Sequence, residues 1–174
     1  MADDFRLKPQ SSDGTANLLD FVIRRQRRVV RSTFSAELNG LVDSVESMLL
    51  LQCTLHQIYC GTEATAQQLV DLLEHGRLYP PVDMCVDAQA VYDALTATDI
   101  CDPAESSLKL HLISIRDRLQ QGIIRMLYWI DTRSMVADGL TKGGIDRRLL
   151  HELSENCRYT CEHAAKVFSQ TVKL

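Results

Sequence analysis

No apolar run in this chain is long enough to span a bilayer, and the first ten residues, MADDFRLKPQ, hold no hydrophobic core of a signal peptide. The expected setting is therefore a cytoplasmic or nuclear, reducing compartment with no membrane partner. There is no CxxC pair. Six cysteines without a secretory signal predict free thiols rather than a disulfide framework. None of them has the motif context of a nucleophile. There is no internal repeat and no low-complexity tract, which excludes a repeat array. Net positive charge is also missing: 19 Lys and Arg stand against 23 Asp and Glu. The chain as a whole is not built as a polycation for nucleic acid.

What is there fits one globular domain, with 174 residues, 45% of them apolar. The distribution of charge says more than its sum. Arg24, Arg25, Arg27, Arg28 and Arg31 crowd into eight residues with no acid between them. Such a run can hold phosphates or can guard a solvated edge strand, and both readings stand.

Along the chain, residues 1–15 read as a polar tail, with a short strand at Phe5–Lys8. Ala16–Arg24 is rich in Leu, Val, Ile and Phe and predicts a strand. Ser32 and Thr33 are good N-caps for a long helix running to Cys60 and closed by Gly61. Its stripe is Phe34, Leu38, Leu41, Val42, Val45, Met48 and Leu49. A second amphipathic helix falls within Thr62–Gly76. Tyr79-Pro80-Pro81 breaks the chain, and Val82–Val86 is a short buried strand. Gln89–Thr96 is a helix with Val91, Tyr92 and Leu95 inward. Glu105–Gln120 is another, with Leu108, Leu112, Ile115 and Leu119 on one face. Ile123–Ile130 is the most apolar strand, where Tyr128 and Trp129 read as core rather than as base-stacking residues. A short helix near Ser134–Leu140 and a Gly143-Gly144 joint follow. Asp146–Lys166 reads as a last, more polar helix. Strands alternating with helices predict an α/β fold with parallel pairing, and functional groups at the carboxyl ends of the strands.

Three acids stand out by position. Glu37 lies at the edge of the apolar stripe, either as a solvated first-turn acid or as a ligand. Asp87 directly follows a strand, either as the N-cap of the next helix or as a ligand. Asp138 lies in VADGLTK after the last strand. Carboxylates gathered at one rim repel unless a cation neutralises them, and hard oxygen donors suit Mg²⁺ or Mn²⁺. Lys142 can face phosphates beside them or pair with a nearby acid. His151, Cys157, Cys161 and His163 can be drawn as a zinc site, but their spacing is loose for one.

The pieces RRQRRVVRSTFSAELNGL, VDMCVDAQAVYDAL, SSLKLHLISIRDRL and YWIDTRSMVADGLTKGG, in this order, resemble the ribonuclease H domain of copia-type (Pseudoviridae) retrotransposon polyproteins. The resemblance covers roughly residues 16–144. It implies a ribonuclease H-like fold, a small mixed sheet flanked by helices, and leaves 145–174 as a C-terminal helical extension. It also implies metal-dependent cleavage of RNA in an RNA–DNA hybrid, with Mg²⁺ or Mn²⁺ held by Glu37, Asp87 and Asp138. Nucleic acid and the rest of a retroelement polyprotein are the implied partners, with Arg24, Arg25, Arg27, Arg28, Arg31 and Lys142 toward the phosphates. Two departures matter. The family opens with a strand carrying a first catalytic Asp; here Asp3, Asp4 and Asp13 have no such strand around them, so the first strand or strands look missing and metal should bind weakly. His111 stands where relatives often carry an acid. The alternatives are a non-catalytic remnant of the same fold, acting as a nucleic-acid-binding or structural module, and an unrelated α/β interaction module.

Overall fold

The structure is a computed structural model, and it describes residues 12–23, 30–61, 63–99, 103, 106–144, 146–161 and 165–169. The first long element is α1, Thr33–Cys60. Ser32 caps it through its side chain, which accepts from the Ser35 amide at 3.1 Å. Gly61 ends it in the left-handed region, where a glycine has no Cβ to clash. Helix α2 is Ala66–Glu74, opened by a capping box between Thr65 and Gln68. Strand β2 is Val82–Val86, α3 is Gln89–Thr96 and α4 is Ser106–Gln120. Strand β3 is Ile124–Ile130, followed by a 3₁₀ turn at Thr132–Ser134 and the short α5 at Asp138–Thr141.

The fold is mixed α/β. Strands β2 and β3 are parallel, with Met84 opposite Leu127 and Val86 opposite Trp129. The crossover between them carries α3 and α4. One core lies between this sheet and the helices: Leu38 and Val45 of α1, Val91 and Leu95 of α3, and Leu112 and Ile115 of α4 meet Met84, Ile124 and Leu127. The inward faces expected for α3 and α4 are the buried ones.

Three expectations are overturned. The predicted strand from Ala16 is irregular over residues 16–23 and exposed over 17–23, with Leu19 65% accessible; Arg24 lies outside the described residues. Strand propensity reflects packing on neighbours; the Ala16 amide still donates to the Cys157 carbonyl at 2.8 Å, and the pairing stops there. The tail expected over 1–15 ends in a strand, β1, Ser12–Thr15. The expected strand at Phe5–Lys8 lies outside the described residues. The predicted helix over 146–166 covers only α6, Arg148–Asn156. It stops where Cys157 turns left-handed at φ 52°. Beyond it, β4, Arg158–Cys161, pairs antiparallel with β1, and β5, Ala165–Phe168, pairs antiparallel with β3. Residues 158–161 and 165–168, expected within a helical extension, are therefore strands, and β5 makes the sheet mixed, in the order β2-β3-β5. A second small cluster joins Tyr128 and Ile130 of β3 to Cys161 of β4.

Among the described residues, no helix is long and apolar enough to cross a membrane. Cys53, Cys60, Cys85, Cys157 and Cys161 are free thiols.

Candidate functional site

Glu37, Asp87 and Asp138 follow one another at intervals of 50 and 51 residues in sequence. The fold brings them within electrostatic reach. Glu37 lies on the second turn of α1, because Ser32 is the cap and the first turn holds no acid. It is not the first-turn acid that the sequence allowed. Asp87 follows β2, but the cap position of α3 belongs to Ala88 and no side-chain cap bond is made there. Neither local job accounts for these two carboxylates. Asp138 begins α5 and is 7% accessible.

The charges record the meeting. Glu37 is pushed above the ordinary carboxylate range, first by loss of solvent, then by the charge of Asp87, with a smaller push from Asp138. Lys142 pulls it partly back. Lys142 closes α5, and its Nζ lies 2.8 Å from both Oδ1 and Oδ2 of Asp138, one helical turn away. Its own ammonium is favoured first by the hydrogen bond to Asp138, and also by the charges of Asp138, Asp87 and Glu37. Of the two readings open for Lys142, pairing with an acid is the one observed.

The end of β3 frames this rim. The Trp129 indole donates to the Asp87 carbonyl at 2.9 Å, and Lys166 of β5 stacks on the same ring, 5.4 Å from its centre. Tyr128 is buried, as expected for a core residue. Carboxylate oxygens are the donor type a hard divalent cation takes, but those of Asp138 are already engaged by Lys142. Among the described residues, no group of three His, Cys, Asp or Glu is arranged to hold a metal ion.

Of the arginine run, Arg31 is exposed just before the α1 cap. Arg24, Arg25, Arg27 and Arg28 lie outside the described residues, as does His163 of the drawn zinc site. His151 turns instead to Glu155 at 3.6 Å.

A groove lies elsewhere. It is lined by His56, Cys60, Glu63, Asp71, His75 and Arg77, where α1 ends against α2. Nineteen positions of helix separate His56 from Glu37, about 28 Å at 1.5 Å per residue. Sequence reading found no nucleophile motif around any cysteine, yet Cys60 Sγ is 3.7 Å from His56 Nδ1, at an i,i+4 spacing. That nitrogen already accepts the Tyr79 amide at 2.9 Å. Taking a proton there would break the bond, so His56 is a poor base for the thiol. The carboxylate rim, not the groove, carries the stronger chemistry.

Compared with known protein families, curated proteins and solved structures, the chain matches none.

Proposed function

We propose that this chain is a ribonuclease H-like domain of the copia retroelement type, acting on the RNA strand of an RNA–DNA hybrid. The observation that supports this reading is that Glu37 feels the charges of both Asp87 and Asp138, with no helix-capping role for Glu37 or Asp87. In this reading the three carboxylates hold Mg²⁺ or Mn²⁺. A bound ion of this kind supplies an activated water and neutralises charge on the phosphodiester. The chain's own part is position. Asp138 is buried at the start of α5, Asp87 is tied through its carbonyl to Trp129, and Glu37 is carried by a helix anchored in the core through Leu38. Arg31 and the arginines before it contact phosphates, since hybrids of A-like form are read through the backbone and 2′-hydroxyls.

A second reading, the non-catalytic remnant that binds hybrid, is favoured by the Lys142–Asp138 pair, which already occupies one carboxylate. A labelled hybrid separates the two. Cleavage of the RNA strand that requires divalent metal and is lost in Asp87→Asn and Asp138→Asn supports the enzyme. Salt-dependent binding of the hybrid without cleavage supports the remnant. Neither binding nor cleavage defeats both.

A further inference from the structure

Helix α1 carries a second apolar face, turned away from the core. The core takes Leu38 and Val45 on one side of the helix. On the opposite side Leu50 is 74% and Ile58 69% accessible, and Leu51 and Thr54 are exposed with them. From Ser47 to Cys60 there is no Asp, Glu, Lys or Arg. A helix face that stays in water normally carries charge. Ser47, Leu51, Thr54 and Ile58 follow one another in steps of four, three and four, the spacing of a seam between two helices. Leu50 and Leu55 flank it. The seam runs about 16 Å along the helix. Its two hydroxyls are already engaged: Ser47 donates to the Asp43 carbonyl and Thr54 to the Leu50 carbonyl, each at 3.1 Å. Covering the seam therefore strands no donor.

We infer that this seam pairs with the same seam of a second copy of the chain, antiparallel, about a two-fold axis between Leu51 and Thr54. The inference is independent of the carboxylate rim. Two features of the face select a second copy. A two-fold pairing sets each surface against itself, and a face without charge meets no like charge there. The antiparallel register also sets Ser47 of one copy against Ile58 of the other, and Leu51 against Thr54. Each large side chain thus meets a small one, as interlocking helices require. A different protein would find no charge on this face to steer or select it. The seam is small beside the roughly 800 Å² per partner of a standard interface. The pairing is therefore weak, with a dissociation constant of about 10 μM or more.

Sedimentation equilibrium of the full chain, under reducing conditions and from about 1 to 500 μM, tests this. The mass should rise with concentration from that of one chain toward that of two. Thr54→Lys and Ile58→Lys each bring an ammonium into the seam and should weaken the pairing about tenfold or more. Ser47→Glu added to Ile58→Lys sets opposite charges against each other in this register and should recover much of the loss. Leu110→Lys, at an exposed position of α4, should change nothing. All the replaced side chains are exposed, and thermal melts show that the variants fold. A one-chain mass at every concentration overturns the pairing, and binding of that single chain to phosphatidylcholine vesicles would give the face to a lipid surface instead. A two-chain mass that both lysine variants leave intact puts the interface elsewhere and overturns it too. If the charge pair recovers nothing, the antiparallel register falls.

Discussion

The indole Nε1–H of Trp129 donates to the main-chain carbonyl of Asp87 at 2.9 Å. The bond joins two parallel strands at the end where Val86 faces Trp129. It fixes the backbone of the residue whose carboxylate belongs to the rim. Trp129→Phe keeps a ring and removes the donor. The expected loss is about 1 kcal/mol, read by urea denaturation. A midpoint equal to that of the native chain would show that the bond contributes nothing.

Glu37 predicts a pH signature. Loss of solvent, and then the charge of Asp87, raise its folded-state pKa. A carboxyl that holds its proton more tightly in the folded chain penalises folding once it ionises. The penalty is absent below the unfolded value of about 4.3 and is complete above the folded value. Glu37→Gln should therefore melt higher than the native chain at neutral pH. The gap should close as the pH falls toward about 4. Melting curves across this range check it, and a gap that widens on acidification would contradict the sign.

Gly76 ends the turn after α2 at φ 61°, and a Cβ there would stand 2.7 Å from the Gln121 carbonyl oxygen. Gly76→Ala meets both left-handed strain and a backbone clash. The expected cost exceeds the roughly 1–2 kcal/mol of the left-handed conformation alone. Gly143→Ala, with open space and no such φ, is the control and should change little.

Helix α1 sets two leucines against each other. Leu38, next to Glu37, is 0% accessible and lies in the core; Leu50 is 74% accessible. Leu38→Ala should cost about 2–5 kcal/mol, and Leu50→Ala should stay within about 0.5 kcal/mol. Chemical denaturation of the pair measures the difference. Equal losses would mean that the helix does not pack as described.

Much of the fold was legible in the sequence. Ser32 and Gly61 mark the ends of α1 because capping is chemistry between near neighbours. The buried face of α4, from Leu108 to Leu119, follows from helical spacing. The rim itself was legible only as three acids with competing local explanations, which the position of Ser32 and the Ala88 cap removed.

Sequence alone determined the bounds of α1 and the apolar faces of α3 and α4, since these depend on residues three or four apart; it did not find where α6 gives way to strands. Tertiary structure alone decided what pairs with what. Ser12–Thr15 joins Arg158–Cys161 through backbone groups that any residue carries, so no side-chain pattern announces the pairing. Residues 17–23, though patterned as a strand, stay exposed because a strand is stabilised by its neighbours. The partner of Lys142, and the mutual repulsion of Glu37 and Asp87, depend on distance in space, which sequence separation does not encode.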